Sequence, residues 1–459
     1  MILHIRSIIW LAVPLIIGQL SRTAMSVIDT VIVGNIGADH LAAITIGSSV
    51  WFPIFIFGFG IMQSIIPKIA QAHAQGQKDD IALLTWQAVI LAFILSVLIA
   101  AVVVAIQPLI PLLGATPQVE NLSSQYLLAL AAGAPGILLF FTFRNIAQAM
   151  NDTRSGMVIG LTGLVLNVPL SYLLANGKAG LPALGVAGCG IAFSFINWLS
   201  ALSYFIYLNS SRRYRAARLF TRPNRIQLRP ILALFKIGIP ISLTLFCEMM
   251  LLDATGLLIA SLDTATVAAH GILLNITTLI FTVPYAIGRI VMVKVAHYAG
   301  IKAPETSKAI TQAGIVSWCF ITSVFFATLL LFGYQIAWLY TTDPSVLQVI
   351  GQVLVFSAVL QCVDGLQTII GSASRGYEDN HAVFFITAVC YWGIGLPTAF
   401  MLGHHLWRGQ PYQLSGYWIG IIAGFTCCAI LLWYRFTVIT QRLQSTATAV
   451  QVRCDPTHH

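Results

Sequence analysis

The sequence predicts an all-α integral membrane protein with twelve transmembrane helices in two parallel six-helix bundles. Composition carries the first part of this prediction, because hydrophobic residues make up 58% of the 459 residues and charged residues only 8%. A soluble domain carries about 25% charged residues, since water must wet its surface. Lipid must therefore cover most of this chain. At about 20 residues per span plus short loops, the chain is long enough for about twelve helices.

Twelve apolar runs follow one another along the chain, separated by glycine, proline or charged residues. The first six cover residues 7–33, 43–67, 81–107, 122–147, 156–176 and 184–209. The second six cover residues 231–260, 266–293, 309–333, 347–373, 381–402 and 413–439. Each run is long enough to cross a bilayer as a helix, so the predicted count is twelve.

Lysine and arginine residues between these runs lie almost entirely on one side of the membrane. With a cytoplasmic amino terminus, nineteen of them fall on the cytoplasmic side and only Lys178 and Arg408 on the other. Positive charge collects on the cytoplasmic side of membrane proteins. We therefore expect a multi-pass protein of the inner membrane with both termini in the cytoplasm. The net charge of +9 comes from the positive residues that orient the protein in the bilayer. It therefore does not indicate a nucleic-acid partner.

The two halves of the sequence resemble each other in register. Matching pairs, at a nearly constant offset along the chain, are Pro14 and Pro240, Lys68 and Lys294, Asp152 and Asp379, Pro169 and Pro397, and Gly188 and Gly416. Because six is an even number of spans, the second half enters the membrane in the same direction as the first. The sequence thus predicts parallel repeats related by a pseudo-two-fold axis along the membrane normal.

The repeats define the predicted domains. Residues 1–209 form an amino-terminal lobe and residues 231–459 a carboxy-terminal lobe. Residues 210–230 contain seven arginines and are interpreted as a basic cytoplasmic linker between the lobes. Because each lobe is self-contained, a monomer is expected.

Four acidic residues interrupt the apolar runs: Asp29, Glu248, Asp253 and Asp364. A charge at the bilayer centre costs several kcal/mol unless it faces a cavity, a partner or a proton. Glu248 and Asp364 lie at similar depths, where two carboxylates can share a cation or a proton. The alternative is that each acid caps a helix or pairs with Arg22, Lys236 or Arg289. No role is assigned to Asp253.

Polar side chains and helix-weakening residues accompany these acids. Asn167 and Ser171 lie one turn apart with Pro169 between them, so they offer neutral oxygens to a small cation or to Asp29. The alternative is a polar contact between helices. In the first span, Pro14 and Gly18 weaken the helix and are predicted to form a hinge.

The sequence lacks the residue patterns that are characteristic of several other classes of protein. The eight cysteines include no CxxC pair, so neither a structural metal site nor a disulfide framework is indicated. The spans contain no HExxH or serine–histidine constellation, and no GxxxxGK[ST] loop is present for an ATPase. We therefore expect a transporter that is not an enzyme, has no cofactor, and is driven by an ion gradient.

Short strings in both halves are similar to those of the multidrug and toxic compound extrusion (MATE) family, of the bacterial NorM type. In the first half they are 28–31, Gly34, 42–43, Pro67 and 70–71. In the second half they are 246–248, 267–270, 361–364, 375–377 and 396–398. The resemblance covers nearly the whole chain.

This resemblance implies export of amphipathic, often cationic drugs by alternating access, coupled to H⁺ or Na⁺ as an antiporter. Asp29 with Asn167, and Glu248 with Asp364, would be the cation- or proton-coupling residues. The candidate substrate contacts are Asp29, Ser171, Gln148, Phe141 and Phe246. Two departures concern ions: Ser171 stands where relatives often have Asn or Asp, and Leu360 where some Na⁺-coupled relatives have an aromatic residue.

The mechanism we expect is competition at Asp29. The ionised carboxylate attracts a cationic substrate, and a proton or cation then removes this charge. Bending of the first span at Pro14–Gly18 would expel the drug. The alternative function is a flippase for lipid-linked precursors, from the same broad superfamily. Such a protein would be expected to line its cavity with several basic residues, whereas only Arg22, Lys236 and Arg289 lie within or near the spans.

Overall fold

The part of the chain that the structure describes contains twelve helices long and apolar enough to cross a membrane, in agreement with the prediction. The computed structural model describes residues 1–178, 180–215, 217, 219–221, 228–404 and 413–454, with side chains for all of these except 113 and 446–454. The spanning helices are α1 Ile2–Gly34, α2 Ala38–Ala74, α3 Lys78–Leu112, α4 Pro117–Ala149, α5 Arg154–Asn176, α6 Val186–Ser210, α7 Leu228–Ile259, α8 Thr264–Gly300, α9 Pro304–Trp338, α10 Pro344–Gly376, α11 Asn380–Gly403 and α12 Gln413–Ser445.

Helix α11 changes its winding in the middle of its length. It is α-helical over Asn380–Ala388, π-helical over Val389–Gly395, and α-helical again over Leu396–Gly403. Pro397 has no backbone N–H to donate to Gly393 four residues before it, and its ring would clash with that carbonyl group in a regular helix. A wider turn relieves the clash, and such turns are frequent at functional sites.

The contacts between residues in space divide the protein into two compact units. One unit is Val13–Leu243, and the other is Met1–Ala12 together with the residues from Thr244 onward. The chain thus passes between units inside α1 and inside α7. In the second unit, the Lys294 ammonium donates to the Ser7 hydroxyl at 3.0 Å. The predicted lobe boundaries at 209 and 231 stay a prediction, and linker residues 216, 218 and 222–227 lie outside the described residues.

Equivalent helices pack in the same way within each unit. In the first unit α4 packs against α2 and α6, and in the second unit α10 packs against α8 and α12. Two of the glycines matched in sequence make equivalent contacts. A Cβ atom on Gly188 would lie 2.7 Å from the Leu174 carbonyl oxygen, and one on Gly416 would lie 2.7 Å from that of Leu402. The sequence repeat is therefore also a repeat of helix crossings, in which small residues allow close backbone approach.

Polar residues at the helix starts satisfy backbone N–H groups that have no partner within the helix. Asp263 accepts a hydrogen bond from the Thr266 N–H at 3.0 Å and so caps α8. Asp343 accepts one from the Ser345 N–H at 2.9 Å and caps α10. These acids lie at the span ends, where capping the helices is their structural function.

A buried aspartate ties the first turn of the linker to the first unit. Asp152, between α4 and α5, accepts hydrogen bonds from the hydroxyl groups of Tyr214 at 2.6 Å and Tyr207 at 2.9 Å. Arg213 also donates to the Met150 carbonyl oxygen at 2.8 Å. Burial and the charge of Asp152 raise the pKa of Tyr214, which keeps its phenol protonated as a donor. Residues 212–215 form one helical turn held by these contacts.

The matching aspartate of the second half has a different partner. Asp379 forms a two-pronged ion pair with Arg435, with Nε–Oδ2 and Nη2–Oδ1 distances of 2.7 and 3.1 Å. Arg435 follows Tyr207 by the same offset that separates the matched glycines of α6 and α12, so the two partners occupy matching positions in these helices. The repeat preserves the acid between the fourth and fifth helices of each half but not the residue that binds it.

The Tyr214→Phe substitution is expected to destabilise the first unit by about 1.5–3 kcal/mol, because it removes a hydrogen bond to a buried charge. In purified protein the midpoint of thermal unfolding should fall by about 5 °C, as measured by intrinsic fluorescence. Tyr434→Phe is the matched control, because the side chain of Tyr434 is 69% exposed. An unchanged midpoint for Tyr214→Phe would show that the Asp152 contacts do not hold the linker.

Candidate functional site

The intramembrane carboxylate of the first unit lies in a pocket of hydrogen-bond donors. Asp29 is 5% exposed, and its Oδ1 atom accepts hydrogen bonds from Asn167 Nδ2 at 2.9 Å and from the Ser171 hydroxyl at 2.7 Å. Burial opposes a charge on this carboxylate, and the two donors offset part of that cost. The predicted juxtaposition of Asp29 with the polar pair of α5 is present in the fold.

Helix α5 supplies both donors from one face. Asn167 and Ser171 are four residues apart, which places them on adjacent turns of the same side of a helix, and both are fully buried. The Asn167 Oδ1 atom has no hydrogen-bond partner among the described residues. A buried carbonyl oxygen without a partner beside a carboxylate is the donor set that a small hard cation prefers.

The second unit holds two carboxylates and an arginine within electrostatic range of each other. Asp364 on α10 is 6% exposed and accepts a hydrogen bond from Gln367 Nε2 at 3.0 Å. Glu248 on α7 is influenced by the charges of both Asp364 and Arg375. Two close carboxylates repel each other, so a shared proton or cation stabilises the pair. The structure thus brings together the two acids that the sequence singled out.

Tyr391 is a member of this second cluster that the sequence analysis missed. It is fully buried in the π-helical part of α11, stacked on Phe425 with a ring separation of 4.7 Å. Its hydroxyl group has no hydrogen-bond partner among the described residues, although Glu248 and Asp364 lie near enough to act on it electrostatically. Pro397 was the feature of the sequence that could have directed attention to this region, because a proline in a span predicts irregular helix winding nearby.

Two candidate substrate contacts of the first unit lie apart from the hydrogen-bond partners of Asp29. Phe141 belongs to an aromatic group, with its ring centroid 4.8 Å from that of Phe59 and 5.8 Å from that of Phe55. Gln148 is buried two turns further along α4, at the turn that leads to Asp152. Their role in substrate binding stays a prediction.

Two further candidates lie on α7. Phe246 is partly buried and precedes Glu248 by two residues, a rotation of about 200° that turns it to the opposite side of the helix. Asp253 is exposed within the second unit, unlike the other three intramembrane acids.

The predicted hinge lies in an unbroken helix. Helix α1 runs through Pro14 without interruption. Gly18 packs against α5, where a Cβ atom would lie 3.5 Å from the Gly156 carbonyl oxygen and where Gly160 also approaches it. Pro14 directly follows the passage between the two units at Ala12–Val13. Bending at this place stays a prediction.

The comparison with protein families agrees with the repeat. The family model MatE matches the chain twice, over residues 14–173 and again over 240–401. The first match begins at Pro14 and the second at Pro240, the proline that corresponds to it in the repeat. The two matches together cover more than half of the chain. This chain is a MATE family transporter. The members of this family are transporters, and the chain has the twelve spanning helices of a multi-pass membrane protein.

Curated relatives cover this MATE transporter almost from end to end. The multidrug resistance protein NorM of Vibrio vulnificus (strain YJ016) is 35% identical over 430 residues, which is 94% of each chain. The multidrug resistance protein PmpM of Pseudomonas aeruginosa is 34% identical over 443 residues, covering 96% of this chain and 92% of its own.

The fold of this MATE transporter is also that of solved family structures. The Vibrio cholerae MATE transporter VcmN, in its bent form, matches with a TM-score of 0.86 at 18% identity and covers 96% of this chain and 98% of its own. At this identity the match speaks for the fold alone, and it supports the predicted fold class.

Proposed function

We propose that this MATE transporter is a multidrug exporter of the inner membrane that exchanges amphipathic, often cationic compounds for H⁺ or Na⁺. The relatives named above are multidrug resistance proteins, which supports export of drugs and does not favour the flippase alternative. The buried carboxylate of Asp29, with its two donors and the partnerless Oδ1 atom of Asn167, carries the proposal. It offers one negative charge that a proton, a metal cation and a cationic drug can each neutralise.

Competition for Asp29 is the proposed mechanism. The ionised carboxylate binds the positive group of the substrate, because a buried charge is stabilised by an opposite one. A proton or Na⁺ that binds Asp29 removes the attraction and releases the substrate. For Na⁺, Asn167 Oδ1 would be a second ligand. Pro14 and Gly18 would let α1 bend as the site changes occupant.

Glu248 and Asp364 form the proposed second coupling site. The mutual repulsion of the two carboxylates favours binding of one proton or cation by the pair, whereas the positive charge of Arg375 opposes it. The two lobes, 1–209 and 231–459, would alternate access as a monomer, with both termini and the 210–230 linker in the cytoplasm. The excess of positive residues on that side supports this orientation.

Export driven by one ion at a time tests the proposal. Proteoliposomes are loaded with ethidium, a flat aromatic cation, and an inward Na⁺ gradient or an inward pH gradient is imposed separately. We expect one of the two gradients to drive ethidium export and the other to have little effect. Export that is the same with either gradient and with none would contradict the proposed coupling. Liposomes without protein control for leakage of the dye.

A further inference from the structure

Arg22 is a guanidinium within the membrane-spanning part of α1 that the proposed mechanism does not use. Its central carbon lies 4.6 Å from the centroid of the Phe141 ring and 5.2 Å from that of Phe140. One nitrogen donates to Asn197 Oδ1 over a long 3.4 Å. Cation–π contacts and a neutral amide stabilise the guanidinium but leave its charge uncompensated.

No carboxylate forms an ion pair with Arg22 among the described residues of its unit. A second guanidinium, that of Arg144, lies 5.5 Å from the same Phe141 ring, which adds to the positive potential there. Charges in membrane spans usually pair with each other or face a water-filled cavity. Arg22 is partly buried as a whole residue, and an anionic group would have to reach its guanidinium from the exposed part.

In the internal repeat, the sequence position of Arg22 is equivalent to that of one of the candidate coupling acids. Glu248 is its counterpart in the second half, because each stands the same number of positions after the matching proline, Pro14 or Pro240. The first half therefore carries a positive charge where the second half carries one of its two candidate coupling acids. A cation cannot bind where Arg22 stands, but an anion can.

Arg22 and Asp29 share one side of α1. Seven residues make nearly two full turns, so the two side chains leave the helix in the same direction about 10 Å apart along its axis. Beside Arg22, Phe141 continues into the aromatic group of Phe55 and Phe59. An acid, a base and aromatic rings thus lie along one side of α1, an arrangement complementary to a flat molecule with charges of both signs.

We propose that Arg22 binds the carboxylate of zwitterionic aromatic substrates while Asp29 binds their positive group. The inference rests on the proposed export function and adds an anion-recognising residue to it. Arginine suits this task because its planar guanidinium donates two parallel hydrogen bonds to a carboxylate. Substrates that lack the carboxylate would bind through Asp29 and the rings alone.

Two dyes that differ only in the carboxylate test the inference. Rhodamine B is a zwitterion at neutral pH, and its methyl ester is a cation with the same ring system. We expect Arg22→Gln to lower export of rhodamine B from proteoliposomes about tenfold relative to the ester, since losing one charge-assisted contact changes binding by about that factor. Arg22→Lys should restore part of the export, because it keeps the charge without the two-pronged geometry.

The controls separate this inference from the proposed function. Lys178→Gln removes an exposed positive charge that contacts Tyr172, and it should leave the ratio of the two export rates unchanged. If Arg22→Gln lowers both rates equally, or neither, Arg22 has a structural role or none and the inference is wrong. If the wild-type protein exports the ester but not rhodamine B, the inference also fails while the proposed function stands. If it exports ethidium but neither rhodamine dye, the inference fails and the proposed function stands, whereas export of none of the three dyes contradicts the proposed function itself.

Discussion

Export driven by an ion gradient is expected to fall at least about tenfold when Asp29 is replaced by Asn. The substitution keeps the shape of the side chain, and an amide oxygen can still accept the hydrogen bonds of Asn167 and Ser171. What disappears is the negative charge for which substrate and coupling ion compete. Losing one charge-assisted interaction costs about 1.5–3 kcal/mol, and each 1.4 kcal/mol is a factor of ten in binding. Ethidium export from proteoliposomes measures the effect.

Matched variants decide whether the loss of export in Asp29→Asn comes from the missing charge or from a change in structure. Asp39→Asn removes an exposed acid in the first turn of α2 and should leave export unchanged. Asp29→Glu keeps the charge on a longer side chain and should retain a measurable part of the activity. Full export by Asp29→Asn, with the same dependence on the ion gradient, would rule out the competition mechanism.

Replacing Gly420 by Ala is expected to destabilise the fold more than Tyr214→Phe does. A Cβ atom at Gly420 would lie 2.2 Å from the Ala399 backbone nitrogen and 2.3 Å from its Cα atom. Because the obstacle is backbone, no side-chain rotation can relieve it and α11 must move away from α12. Overpacking of this kind costs about 3 kcal/mol, at the upper end of the usual range. We expect the thermal unfolding midpoint to fall by about 5–10 °C.

The same substitution elsewhere provides the control. Gly351 on α10 is exposed, and a Cβ atom there would meet nothing within 4 Å. Gly351→Ala should therefore leave the midpoint unchanged or raise it slightly, since alanine favours helix by up to about 1 kcal/mol over glycine. Equal unfolding midpoints for Gly420→Ala and Gly351→Ala would show that α11 and α12 cross at a larger distance than the contacts of Gly420 indicate.

The predictions that depended on local composition agree with the structure. The twelve apolar runs correspond to twelve spanning helices, because a bilayer requires long apolar segments wherever they occur in a chain. The repeat was readable for a similar reason: residues such as Gly188 and Gly416 must be small for two backbones to approach. The contact of Asn167 and Ser171 with Asp29 was one of the alternatives that the sequence left open, and the structure shows this contact.

The winding of α11 and the place of Tyr391 were not predictable, because proline indicates an irregularity without specifying its form. The partners of the equivalent acids were not predictable either: Asp152 accepts hydrogen bonds from two tyrosines, whereas Asp379 forms an ion pair with Arg435.

The sequence by itself determined the membrane fold, the count of spans, the internal repeat and which acids require an explanation. All of these follow from the cost of placing polar groups in lipid, a cost that each segment meets separately. Only the tertiary structure decided which groups meet. It placed Asn167 and Ser171 on one oxygen of Asp29, and it placed Arg22 against Phe141 with no ion-paired acid in the part of the chain that the structure describes. The physical reason is that contacts between residues far apart in the chain depend on how helices cross.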